Sequence, residues 1–150
     1  MEWIILFCVS WGLFILLSGW RDLKITIWSG LVAVILQLLV DTNAISHNFY
    51  KINTPVIKLW GSSVLFILGP VLIIGILMGQ YHPKKRYLRI ANVFVLSTLY
   101  SSQEFLLLIR KSLEYTNWSF IDSVIVNIAA MIIISWFSII VLDGNSDAGT

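Results

Sequence analysis

Glu104 is the residue in this chain with the strongest claim to chemistry, because it stands inside an apolar run, Ile90 to Ile109. A charge in hydrocarbon is costly, and those that persist there serve a purpose. At helical spacing Ser97, Ser101, Glu104 and Leu108 share a face with Tyr100 alongside, so the carboxyl is expected to meet a hydroxyl-lined strip rather than lipid. Arg110 lies about one and a half turns beyond it, and Lys111, on the same face, is roughly 10 Å away along the helix axis. Only snorkelling side chains close such a gap. Two roles fit Glu104: hydrogen-bonded or protonated glue between helices, or a binding and proton-relay group.

Other polar residues fall at the same depth. Gln37 and Asp41 end the second apolar run, Ser101 and Gln103 flank Glu104, and Asp122 and Asn127 open the fifth run. Three carboxylates at one level, with His47 in the adjoining connection, would suit a proton or a hard cation held by oxygen. The binding candidates are therefore Glu104, Asp41, Ser101, Gln37 and Asp122. Each also has a structural account. Ser119-Phe-Ile-Asp122 matches a capping box, which would commit Asp122 to the start of a helix. Asn127 stands about 140° round that helix from Asp122, so the two cannot share a neighbour. Asp41 opens a turn through Thr42 and Asn43.

Enzyme chemistry finds little support. His47 and His82 are expected on opposite sides of a membrane, and the one cysteine, Cys8, sits in an apolar run with no ionisable neighbour, where a small buried hydrophobe is expected. There is no His-Glu-x-x-His, no phosphate-cradling glycine loop and no pair of Cys-x-x-Cys sites, so no catalytic residue, metal or cofactor is assigned.

The elements that must position these residues are set by composition. Charged residues are 12% of the 150 residues, against about 25% in soluble domains, and 58% are hydrophobic. Water cannot solvate such a surface, so the bilayer is the expected solvent. The net charge is +2 and the basic residues form short clusters, which does not suggest a nucleic-acid partner. The expected fold class is all-α, a bundle of five transmembrane helices at Trp3–Trp20, Ile25–Val40, Leu59–Gly79, Ile90–Ile109 and Ser119–Leu142. Arg21, Asp22 and Lys24 form a tight turn, residues 41–58 a polar connection on the membrane surface, and residues 143–150 a disordered tail. Pro70 predicts a kink in the third helix, and Gly75 and Gly79 have the spacing that lets two helices approach closely. No internal repeat stands out.

Arg21, Lys24, Lys84, Lys85, Arg86 and Arg89 lie on one side, against Lys51, Lys58, Arg110 and Lys111 on the other. The positive-inside rule then places the N-terminus outside and the C-terminus in the cytoplasm, in the cell membrane. Lys84-Lys85-Arg86 is able to attract anionic headgroups, although anchoring of topology suffices to account for it. Trp3, Trp20, Trp60 and Trp118 fall at run ends, where amphipathic rings settle at the headgroups.

Asp41 at the end of a span, Tyr50 and Pro55 in the connection after it, Pro70 and Gln80 in and after the third run, Glu104 in the fourth and Asn117-Trp118 before the fifth form an ordered set. In that order the chain resembles a family of small, uncharacterised multi-spanning membrane proteins of spore-forming Gram-positive bacteria. Gly69 and Gly79 depart from that pattern, which has an aromatic before the proline and an asparagine before the glutamine. The resemblance implies an integral membrane protein and assigns no activity. An accessory subunit binding a membrane partner, or a homo-oligomer, needs the fewest special residues and ranks first. A small carrier or channel using Glu104 as proton or cation acceptor ranks second, and an intramembrane enzyme working with Glu104 and Asp41 third.

Overall fold

Five helices follow the five apolar runs, and their ends shift for local reasons. The computed structural model describes residues 1–18, 20 and 23–140. In it α1 runs Glu2–Leu17, α2 Leu23–Ser46, α3 Val64–Gln80, α4 Arg86–Ile109 and α5 Phe120–Ser138. Helices α2, α4 and α5 are long and apolar enough to cross a membrane, whereas α1 and α3 are shorter apolar helices. Arg21 and Asp22 of the expected turn, the expected tail 143–150, and Val141 and Leu142 lie outside the described residues.

The chain is mostly helical, as expected, and four short strands among the described residues add a small sheet component. These are β1 (Tyr50–Ile52), β2 (Lys58–Leu59), β3 (Ser62–Ser63) and β4 (Leu113–Tyr115). Residues 58–63, of which 59–63 were assigned by hydropathy to the third helix, form a hairpin with Leu59 opposite Ser62. Its two turn residues, Trp60 and Gly61, both have positive φ, at 49° and 89°. That backbone matches the strand twist as a helical turn would not, and it delays the start of α3 to Val64.

Residues 41–46 are helical, not the start of a surface connection. The helix continues through Asp41 because tertiary hydrogen bonds hold that side chain, and it stops where Asn48 adopts φ 55°. Phe49 N–H then reaches Ala44 O at 2.8 Å and Asn48 N–H reaches Ile45 O at 3.1 Å, closing the last carbonyls. Helix α4 ends by the same device: Lys111 has φ 56°, Ser112 N–H bonds Leu107 O, and Lys111 N–H bonds Leu108 O, both at 3.0 Å.

These matched ends set a two-fold frame that hydropathy does not reveal. Asn48 and Lys111 each stand seven residues after a carboxylate, Asp41 and Glu104. Each is followed two residues later by a strand, and the strands pair antiparallel, Tyr50 with Tyr115, Lys51 with Glu114 and Ile52 with Leu113. The register is symmetric about Lys51 and Glu114, each three residues past its positive-φ residue. Segments α2-β1 and α4-β4 therefore meet as near-equivalents, and their strands cap one end of the bundle.

Helix α3 lies at the centre, buried continuously from Ile73 to Gly79. Proline lacks the N–H of a helical turn and clashes with the carbonyl one turn back. The chain absorbs Pro70 by widening to a π-turn over Ile67–Val71, in which Leu72 N–H reaches Ile67 O. Beside it Gly69 approaches α1, where an added Cβ would lie 3.0 Å from Phe7 Cα. Gly75 and Gly79 face α2: a Cβ on Gly75 would lie 2.6 Å from Ala33 Cβ and 2.8 Å from Gly30 Cα, and one on Gly79 2.9 Å from Ser29 Oγ. Ser138 donates to Ile134 O, so it accepts at 2.9 Å from Ser29 and joins α2 to α5 at this crossing.

Two further placements differ from expectation. Trp3 is no headgroup ring, being buried edge-on against Phe66 with its indole N–H donating to Asn53 O at 3.2 Å. Cys8 lies on the outward, exposed face of α1 rather than inside.

Candidate functional site

Both carboxylates of the two-fold frame line one small cavity beneath the β cap, with about 40 Å³ of room for solvent. At that size it takes a few waters or a small ion and no organic solute. Gln37, Tyr100, Ser123 and Asn127 line it too, with Trp3, Phe66 and Trp118 as apolar walls, and no lysine, arginine or histidine contributes. Asp41 and Glu104 are 2% and 7% exposed, so they are held out of bulk solvent with no cationic partner among the described residues.

Each carboxylate is instead met by a tyrosine, a serine and a side-chain amide. Asp41 accepts from Tyr50 OH and Gln37 Nε2 (2.7 Å) on one oxygen and from Ser62 Oγ on the other. Glu104 accepts on Oε1 from Tyr115 OH (2.7 Å) and Ser123 Oγ, and on Oε2 from Asn127 Nδ2 (2.9 Å). The tyrosines come from the same rung of the cap, with ring centroids 6.4 Å apart. Ser62 comes from β3, just before α3, and Ser123 from the start of α5. Tyr100 OH, from the helix that carries Glu104, donates to Gln37 Oε1 at 2.7 Å, and Asn127 also reaches Ser101 Oγ at 3.2 Å.

The donors are fixed in their roles. Burial pushes the Tyr50 phenol far up, with the nearby Asp41 charge adding to it, and burial pushes Tyr115 up as well. Both remain protonated and donate. Asn127 Nδ2 has only protons to give, so Glu104 Oε2 serves it as an acceptor. The arrangement holds two carboxylates in one enclosure shielded from bulk solvent with neutral donors around them, the condition under which a proton or small cation is gained or lost with most effect.

Of the sequence candidates, Asp41, Glu104, Gln37 and Ser101 are brought together. Asp122 is not. It is exposed, accepts from Ser119 N–H (3.0 Å) and Ser119 Oγ (2.6 Å), and completes a capping box through Ser119 Oγ and Asp122 N–H. His47 also stands apart, stacked on Phe49 at 5.6 Å with Nδ1 against Asn43 O. The three-carboxylate site reduces to a pair, and among the described residues no group of three or more His, Cys, Asp or Glu gathers as for a metal. Asp41 is corrected from a turn residue to a buried helical acceptor. Gln103 makes none of these bonds. Tyr50 entered the sequence reading only through the family resemblance and not as a site residue, and Tyr115, Ser62 and Ser123 were not singled out, because nothing local distinguishes them from boundary residues. Ser119→Ala is expected to cost about 1 kcal/mol through the lost cap and, with Asp122→Asn, to leave any ion response of the cavity unchanged in thermal melts.

Fold and site together define a mostly helical bundle of apolar helices, closed at one end by a β cap over a paired-carboxylate cavity. No protein-family model, no curated protein and no solved structure matches this chain.

Proposed function

We propose that this chain is a five-span membrane protein of the accessory kind whose cavity takes up a proton or a small cation between Asp41 and Glu104, setting the state of the cap that it presents to a membrane partner. The observation that carries the reading is the matched pair: two buried carboxylates without a counter-charge, each nested in tyrosine, serine and amide donors, on one cavity. A single structural acid would need no such pairing.

The membrane component rests on surface chemistry. Less than half of the apolar stretch of each long helix is buried within the fold, and outward residues such as Val95, Ile121 and Trp136 are exposed. An apolar belt of that extent belongs in lipid. Helices α1, of 16 residues, and α3, from Val64 to Gln80, are about 25 Å long, short of about 30 Å of hydrocarbon, and complete the five passes with local thinning or a flanking turn. The N-terminus is then outside, the C-terminus cytoplasmic, and the cap on the outer face.

The test is the thermal stability of the purified chain in mild detergent, across sodium, lithium, potassium and calcium against choline, and across pH. A bound ion at a hundredfold excess over its dissociation constant raises the midpoint by about 5 °C or more. That rise is expected to vanish in Glu104→Gln and Asp41→Asn. A wild-type melt indifferent to cation and pH would remove the reading.

Carriage across the membrane is the second reading, favoured by two buried carboxylates that meet no cation among the described residues. It has to contend with a layer of Phe14, Ile73, Ile76 and Leu77 packed between the cavity and the other end of the bundle. Proton or cation flux into liposomes that is lost in Glu104→Gln would establish it.

A further inference from the structure

At the end of the bundle opposite the carboxylates, α4 and α5 leave an outward-facing groove of about 350 Å³ with Arg86 and Arg89 at its mouth and Phe94, Ile128, Ile132 and Trp136 along its length. We infer that this groove binds one anionic phospholipid, phosphate at the arginines and an acyl chain between the helices. The inference rests on the membrane-spanning part of the reading above and not on the carboxylate site.

Charge complementarity commits the groove to that occupant. Lys24, Lys84, Lys85, Arg86 and Arg89 surround this end, and all five described acids, Glu2, Asp41, Glu104, Glu114 and Asp122, belong to the capped end. Arg89 donates through Nη2 to Lys84 O at 2.9 Å, which fixes the guanidinium at the mouth, while its Nε is buried with no hydrogen-bond partner. With Arg86 beside it the mouth presents two guanidinium groups, whose planar forks suit phosphate oxygens. Lys85 supplies no side-chain cap to α4, so the first amides of that helix favour the same anion. Below the arginines the walls are apolar, and Phe94 and Ile128 continue into a second groove of about 570 Å³ between the same helices, giving the acyl chain a track toward Ser97 and Ser101. A membrane protein partner would leave the arginines facing headgroups; a lipid satisfies both ends of the groove.

The experiment reconstitutes the full chain in vesicles of equal parts phosphatidylglycerol and phosphatidylcholine, extracts it with mild detergent, and counts lipids retained per chain. Wild type is expected to keep phosphatidylglycerol in preference. Arg86→Gln with Arg89→Gln should lower that preference on the order of tenfold, whereas Lys84→Gln with Lys85→Gln, equal in charge change, should largely keep it. Ile132→Trp, at an exposed groove position, should reduce retention with the charges intact. Equal retention of both lipids by wild type, an equal loss in the two charge variants, or full retention in Ile132→Trp would each overturn the site. An alkaline wash of the source membranes is read first. A chain stripped by that wash refutes the spanning reading, whereas an integral chain with no lipid preference refutes only this site.

Discussion

Asp41→Leu is expected to destabilise the protein by on the order of 4 kcal/mol, because it leaves the Tyr50 and Ser62 hydroxyls and the Gln37 amide without their buried acceptor. Leucine keeps the branched shape and is somewhat bulkier than aspartate, so the loss is mainly one of polar satisfaction with a smaller cost of overpacking. Tyr50 anchors β1 and Ser62 anchors the start of α3, so the cap should loosen before the helices separate. Trp3 and Trp118 border the cavity and their fluorescence should report that step. Asp41→Asn keeps one acceptor oxygen and should fall between wild type and leucine, at about 1–2 kcal/mol. A leucine variant that melts with wild type would show that these bonds are formed equally well by water in the unfolded ensemble. The paired-carboxylate site would then lose its structural basis.

Gly75→Val is expected to have the largest effect on packing. A Cβ there meets Ala33 Cβ, Gly30 Cα and Ser29 O, at 2.6, 2.8 and 2.9 Å, and two of those three atoms are backbone that cannot turn aside. Helices α2 and α3 must part, and the cost should reach about 3 kcal/mol or more. Gly12→Ala is the matched control, since nothing lies within 4 Å of its added Cβ. In an open helix interior that change should stabilise by about 0.5–1 kcal/mol. Thermal melts of the two variants, side by side in one detergent, should move in opposite directions. If Gly75→Val tracks Gly12→Ala, the α2–α3 crossing is looser than a 2.6 Å approach to Ala33 Cβ implies.

Glu104 was conspicuous from sequence because one ionisable group in an apolar run needs no partner to be noticed. Ser119-Phe-Ile-Asp122 was equally legible, since a capping box is complete within four residues. Pro70 announced a disturbance in α3, but whether it would kink or widen depended on the approach of α1 at Gly69. Asp41 misled for an instructive reason. Followed by Thr42 and Asn43 it has the local signature of a turn, yet three bonds from residues 4, 9 and 21 positions away hold it in a helix that runs to Ser46.

What the amino-acid sequence determined by itself is the helical, apolar character of the chain, the five runs, the asymmetry of basic residues and the presence of a misplaced carboxylate. Hydropathy, charge and helix propensity are properties of residues and short windows, and they survive without knowledge of neighbours. Tertiary structure alone decided that Asp41 joins Glu104, that Tyr50 and Tyr115 meet on one rung, and that Asp122 and His47 stay outside. Strands of three residues have no stability of their own. Tyr50 and Leu113 become strand residues only because two helices of equal length end in the same way and bring segments sixty residues apart into register, and that meeting builds the cavity.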